Sequence, residues 1–340
     1  MKLDVRGEIC PYPMMRTVDA LGKLPPNEEL EVLTDHAPAL ATIPWEDACL
    51  TLLAAHTTAA SAATATPSAR GYAHPELLAE TDWLAEHLND ADLRIVDLRS
   101  QAAYTAGHIP GAIWLDGKKL DDADTGYVPK PQDFAALVGS LGIGDNIRVV
   151  AYDDLGGLWA TRLWWALDYY GHTKSNVLNG GWNKWTRESR RTAREVPTAR
   201  QVAFTPKVNE NVICAVDYVK ANLKRPGVVI IDARSQAEYN GMDVRAKRGG
   251  HIPGAINIDW QRNLTADDLK TFKPAAELLK MYEAAGITRD KKIVTYCQTG
   301  VRAAHALFTL RLLGFEEPSH NVLYASVSRG RNAMVALAML

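Results

Sequence analysis

From about residue 71 onward, short continuous apolar runs alternate with stretches in which apolar residues recur every three or four positions. Val228–Asp232 and Ile293–Tyr296 are runs rich in Val and Ile, the pattern of strands buried on both faces. After the second run, Leu307, Leu310 and Leu313 fall at helical spacing over Ala303–Leu313, and Gly314 stands where the helix should stop. Ala160–Tyr170, closed by Gly171, predicts a matching helix earlier in the chain. Strand–helix units in series predict an α/β fold with a mainly parallel sheet flanked by helices.

The chain repeats itself. Ile95-Val-Asp-Leu-Arg-Ser-Gln-Ala-Ala-Tyr104 matches Ile230-Ile-Asp-Ala-Arg-Ser-Gln-Ala-Glu-Tyr239, and Gly107-His-Ile-Pro-Gly-Ala-Ile113 matches Gly250-His-Ile-Pro-Gly-Ala-Ile256. Val150-Ala-Tyr-Asp153 then matches Val294-Thr-Tyr-Cys297. This is an internal duplication. It places one domain over residues 71–196 and a second over 206–340, joined near Pro197 to Pro206. Residues 1–47 lie outside the repeat as a short α+β segment. Residues 48–70, which contain a run of Ala, Thr and Ser, read as a flexible linker.

Composition narrows the function classes. Of 340 residues, 47% are hydrophobic and 23% charged, with a formal net charge of −2, which fits globular domains and gives no basic surface for nucleic acid or an anionic membrane. No apolar run approaches the roughly 20 residues of a membrane span. Cys10, Cys49, Cys214 and Cys297 are too scattered for a disulfide framework and lack zinc spacing. The expectation is a reduced, cytoplasmic protein with no metal or cofactor.

Candidate chemistry sits in Thr295-Tyr-Cys-Gln-Thr-Gly-Val-Arg-Ala-Ala304, where a cysteine lies between a strand and a helix. Backbone N–H groups of Gln298, Thr299, Gly300, Val301 and Arg302 can converge there, and the helix N-terminus adds positive partial charge. Both favour a nucleophilic thiolate at Cys297, and the Arg302 side chain offers a contact for an anionic substrate. Cys214, within the apolar stretch Val212–Val216, reads as an inert small hydrophobe. Asp232 and Arg234 either orient the loop or form a structural ion pair with Glu238. His108 and His251 precede Ile-Pro-Gly turns in both copies and read as turn-packing residues. Lys247 and Arg248 lie in the insertion unique to the second copy, where they either raise the local positive potential or sit in a solvated loop.

On these motifs residues 72–315 resemble the rhodanese family, specifically its two-domain thiosulfate sulfurtransferases. The resemblance implies that the first domain has lost its cysteine, with Asp153 standing in its place. It also implies that Cys297 takes the outer sulfur of thiosulfate as a persulfide and passes it to cyanide or a thiol, both small molecules. Some mercaptopyruvate enzymes of the family carry an arginine where Glu238 stands and a Cys-Gly-Ser/Thr-Gly-Val loop, so both departures favour thiosulfate here. The family-related phosphatases use a Cys-x5-Arg loop, one residue longer than Cys297–Arg302, which makes hydrolysis the weaker reading. At the front, Leu3-Asp-Val-Arg-Gly-Glu-Ile-Cys-Pro-Tyr-Pro13 resembles the TusA-type sulfur carriers, in shortened form. That resemblance implies a relay role for Cys10 and sulfur-relay proteins as partners. The second copy lacks the tryptophans that the first keeps in Val177-Leu-Asn-Gly-Gly-Trp-Asn-Lys-Trp185, and the chain closes on an Ala/Met/Leu tail.

Overall fold

The computed structural model describes residues 2–4, 31–33, 70–122, 128–223, 225–246, 248–315 and 322–326. The chain divides into two compact units, Met1–Ala65 and Thr66–Leu340. In the first unit β1 (Lys2–Asp4) and β2 (Glu31–Leu33) pair in parallel, Lys2 opposite Glu31. Cys10 and Cys49 lie outside the described residues.

The second unit contains both repeats. The first runs β3 (Leu78–Ala79), α1 (Thr81–Glu86), β4 (Leu93–Asp97), α2 (Gln101–Ala106), β5 (Ile113–Trp114), α3 (Pro131–Ser140), β6 (Arg148–Tyr152), α4 (Leu158–Tyr169), β7 (Ser175–Leu178) and α5 (Gly181–Arg187). The second runs α6 (Val216–Asn222), β8 (Val228–Asp232), α7 (Gln236–Tyr239), β9 (Ile256–Asn257), α8 (Ala275–Ala284), β10 (Lys292–Cys297), α9 (Val301–Leu312) and β11 (Val322–Ser326). The strand orders are β3-β7-β6-β4-β5 and β11-β10-β8-β9, and every pairing within them is parallel. The predicted α/β class is therefore observed in both copies.

Buried strands account for the continuous apolar runs: in β6 and β10 every residue after the first is buried. Two element ends differ from the sequence reading. β10 extends through Cys297, because the ladder to β11 continues to the Cys297–Ser326 pair. The following helix starts at Val301, two residues earlier than the apolar spacing indicates, because Gly300 adopts φ 93°, a left-handed conformation that glycine takes without steric cost and that turns the chain into the helix. Gly157 plays the same part before α4, with φ 87°.

The two repeats share one apolar core. Trp164 of α4 meets Phe308 of α9 edge-on at 4.9 Å, and Arg311 of α9 pairs with Asp168 of α4 at 2.7 Å. A polar chain runs through this interface: Tyr282 Oη donates to Asn263 Oδ1 at 2.9 Å, and Asn263 Nδ2 lies 3.5 Å from His305 Nδ1. His305 Nε2 in turn lies 3.1 Å from the Gly156 carbonyl oxygen of the first repeat. The carbonyl can only accept, so Nε2 carries the proton and the neutral ring is fully used.

Burial holds the His305 imidazole down to about 4. As pH falls below the ordinary histidine value, the unfolded chain takes up a proton that the folded chain refuses. This contribution is complete above about pH 6.5 and is lost as pH approaches 4, a change of about 3 kcal/mol. Denaturant unfolding across this range should show stability declining with acid, and His305→Gln should remove that part of the slope.

Candidate functional site

Each repeat hangs the C-terminal end of its sheet on a buried carboxylate. In the second, Arg234 donates from Nε and Nη2 to Asp232, at 2.9 Å to Oδ1 and 2.6 Å to Oδ2. Tyr296 Oη donates to Asp232 Oδ2 at 2.5 Å, and Arg234 Nη2 also reaches the Gly250 carbonyl at 2.7 Å. The Ile252 amide closes the knot by donating to Tyr296 Oη at 3.1 Å. The first repeat has the same knot, built from Asp97, Arg99, Tyr152, Gly107 and Ile109. Its presence beside a loop without cysteine makes it a shared scaffold. The alternative pairing of Asp232 and Arg234 with Glu238 is corrected: Arg234 spans only two residues to Asp232, and Glu238 is taken by Arg302.

Tyr296 is the last link of that knot and the residue before Cys297. Cys297 is 1% exposed, and its Sγ accepts from the Gly300 N–H at 3.0 Å. Thr295 Oγ1 donates to the Ala303 carbonyl at 3.1 Å and ties the strand to the first turn of α9. Arg302 reaches back to Glu238 with both terminal nitrogens, at 2.5 and 3.0 Å. Glu238, 1% exposed, also accepts from Ser235 in the capping box that starts α7. Burial pushes the Glu238 carboxyl up, but Arg302 and Ser235 outweigh it and hold the group below its usual range. Burial works against the Arg302 charge, which Glu238 and the neighbouring Cys297 sulfur support.

In the first repeat Asp153 ends up where Cys297 stands in the second, and its carboxylate fills the loop from inside. Oδ1 accepts from the Leu155 and Gly157 amides at 2.8 and 2.9 Å, and Oδ2 from the Trp159 and Ala160 amides at 2.7 and 3.0 Å. Burial pushes this carboxyl up, and the four amides act in the opposite sense. A strand–loop–helix turn of this kind therefore gathers its N–H groups on one negatively charged point.

A pocket of about 470 Å³ opens at the Cys297 loop. Gln298, Thr299, Val301 and Arg302 line it from the loop, Glu238, Arg245 and Trp260 from the same repeat, and Leu158 and Trp159 from the first repeat.

Comparison with known proteins fits this geometry. The family model described as "Rhodanese-like domain" matches residues 80–188 and 215–325. The chain belongs to the rhodanese family. A second model, "Sulfurtransferase TusA", matches residues 1–45. The "Sulfur carrier protein TtuD" of Thermus thermophilus is 37% identical over 261 residues, covering 72% of this chain and 90% of that protein. A "Thiosulfate sulfurtransferase" of Pseudomonas aeruginosa is 35% identical over 242 residues, covering 70% and 89%. Among solved structures, the 3-mercaptopyruvate sulfurtransferase SseA of Escherichia coli superposes with a TM-score of 0.65 at 30% identity, covering 73% of this chain and 97% of that one. This rhodanese is thus a sulfurtransferase with a TusA-type segment at its front, an arrangement that fits partners in sulfur relay.

Within the rhodanese repeats the remaining candidates separate. Gln298, Thr299, Gly300 and Val301 sit together with Cys297 and Arg302. Arg248 is exposed and away from the pocket, and Lys247 lies outside the described residues. It is Arg245, two residues upstream of Lys247, that reaches the site, paired with Asp243 at 2.7 Å. Cys214 is buried in a small apolar cluster, and burial pushes its thiol up to about 12. His108 and His251 stack on Tyr104 and Tyr239 and lie within hydrogen-bond distance of those residues' carbonyl oxygens, as turn-packing residues should. Sequence reading missed Glu238 as the partner of Arg302, and missed Trp159, Leu158 and Trp260 as walls. The capping-box spacing of Ser235 and Glu238 was visible, but nothing local points to Arg302. Among the described residues no helix is long and apolar enough to cross a membrane, and no cluster of His, Cys, Asp and Glu has the form of a metal site.

Asp153→Ala should leave four loop amides without their acceptor and destabilise the repeat body by about 3 kcal/mol, as buried unsatisfied donors do. Denaturant unfolding of the full chain at neutral pH measures it.

Proposed function

We propose that this chain moves the sulfane sulfur of thiosulfate to a thiophilic acceptor through a persulfide on Cys297. The observation that carries the reading is the loop itself, with Gly300 N–H directed at Cys297 Sγ and Arg302 beside it. The matching loop of the first repeat supports it, because there four amides bind the Asp153 carboxylate.

In the first half-reaction the Cys297 thiolate attacks the outer sulfur of thiosulfate. The thiosulfate S–S bond breaks and sulfite leaves with the electron pair. The terminal sulfur carries the negative charge, and preorganised loop amides of Gln298 to Arg302 stabilise it without rearrangement. In the second half-reaction an acceptor, cyanide or a thiol, takes that sulfur and restores the Cys297 thiolate. Two half-reactions through one covalent intermediate give ping-pong kinetics. Asp232 and Arg234 support the site by fixing Tyr296, and Arg302 contacts the anionic donor. Thiosulfate is favoured over 3-mercaptopyruvate because position 238 holds a carboxylate, paired with Arg302, where some mercaptopyruvate enzymes of the family carry an arginine.

Cys297→Ser should abolish thiocyanate formation from thiosulfate and cyanide while leaving the unfolding curve unchanged, because a hydroxyl cannot hold a transferable sulfur. Activity retained in that variant would overturn the assignment. A short thiosulfate pulse followed by peptide mass spectrometry also tests a second reading, favoured by the TusA match over residues 1–45. In that reading sulfur appears first on Cys297 and then on Cys10, and a Cys10 that never gains sulfur excludes the relay. Arg302→Ala should raise the KM for thiosulfate about tenfold, equivalent to ~1.4 kcal/mol, since a fixed positive charge is lost and buried Glu238 is left unpaired. Steady-state assays over a wide range of thiosulfate concentrations check this.

A further inference from the structure

We propose that the cysteine-less loop of the first repeat is a specificity element of the Cys297 site, with Trp159 selecting acceptor thiols that carry an organic body. The proposal rests on the sulfur-transfer reading above and concerns its second half-reaction.

Trp159 and Arg302 are equivalent positions. Gly157 and Gly300 are the left-handed residues before α4 and α9, and Trp159 and Arg302 each stand two residues further on. The second repeat thus places a guanidinium beside its sulfur, and the first places an indole at the matching point of its own loop. Because α4 and α9 pack against each other, that indole faces the other repeat's pocket.

Trp159 is held through its backbone, through one face of its ring and through the loop it stands in. Its own amide donates to Asp153 Oδ2 at 2.7 Å. The ring lies flush on the backbone at Gly117, where a Cβ would come within 2.4 Å of it. His305 of α9 anchors the loop through the Gly156 carbonyl at 3.1 Å. A large side chain with so little freedom can bind without first giving up rotamer entropy.

The pocket has the matching shape and charge. Leu158, Trp159 and Trp260 form an apolar wall. The charged lining consists of Arg245, Arg302, Glu238 and Asp259, two positive and two negative. Each is engaged within the protein, Arg302 with Glu238, Arg245 with Asp243, and Asp259 with the Gln261 amide. Cyanide, unlike an organic thiol, has no body to lie against the apolar wall. At about 470 Å³ the space lies in the range that encloses organic ligands and is far larger than cyanide requires. An acceptor thiolate lying against Trp159 attacks the outer sulfur of the Cys297 persulfide. A new S–S bond forms to the acceptor, the bond to Cys297 Sγ breaks, and its electron pair remains on Sγ. The acceptor leaves as a persulfide, with no external oxidant or reductant.

The test uses the full chain loaded with inorganic polysulfide, in parallel with thiosulfate. Loss of the added sulfur from the Cys297 peptide is followed by mass spectrometry against increasing cyanide or phenylmethanethiol. Trp159→Ala should raise the half-saturating concentration of phenylmethanethiol about tenfold, with the limiting rate and the cyanide response within about twofold of the parent. Trp159→Phe, which keeps an aromatic face, should recover most of the difference. Equal changes for both acceptors, or no change for either, would overturn the proposal. Loading by polysulfide but not by thiosulfate overturns the proposed donor and leaves the acceptor comparison intact. A Cys297 that gains sulfur from neither overturns both.

Discussion

The buried carboxylate at the end of the central strand is the interaction on which each repeat depends. Asp232 and Asp97 are fully buried, and a charge so placed is tolerated only with an opposite charge and hydrogen bonds around it. Arg234 and Arg99 supply the charge, Tyr296 and Tyr152 the hydroxyl, and the Gly-His-Ile-Pro turn closes over the arginine. The knot joins the ends of two adjacent parallel strands at the edge where α/β sheets place their sites. Its tyrosine precedes Cys297 in one repeat and Asp153 in the other. The position of both residues is therefore set by a network that does not include them.

From that common scaffold the two loops diverge in what fills them. The first repeat supplies its own anion, and four amides close on Asp153. The second leaves a sulfur with one amide, from Gly300, and a guanidinium nearby. The filled loop has its amides already engaged by Asp153, which suits it to be a wall, whereas the other loop has no such internal anion beside its sulfur. The interface makes this division usable. Trp164 and Phe308, Asp168 and Arg311, and His305 with the Gly156 carbonyl hold the filled loop against the open one.

Glu238 joins local folding to the site. As the N3 residue of a capping box it helps start a helix of only four residues, and the same carboxylate grips Arg302 from 64 positions away in sequence. Arg302 is thereby fixed next to the sulfur at the cost of part of its attraction for anions. A freely moving arginine would attract anions more strongly and position them less well.

The sequence by itself determined the duplication, the α/β class and the Cys297 loop, because each is written in consecutive residues. Strand, loop and helix follow one another there, and the Gly300 amide that faces Cys297 comes only three residues after it. The capping box at Ser235 and the two-residue reach from Arg234 to Asp232 are equally local, although the sequence left the partner of Arg234 open. Only the tertiary structure decided the rest. Glu238 meets Arg302 because β8 and β10 end side by side, and Arg245 rather than Arg248 lines the pocket because of how the inserted segment folds. Trp159 enters the site from the other repeat because α4 packs on α9. These are contacts between residues far apart in the chain, brought together by burial of apolar faces that many sequences share, and burial alone does not tell one polar partner from another.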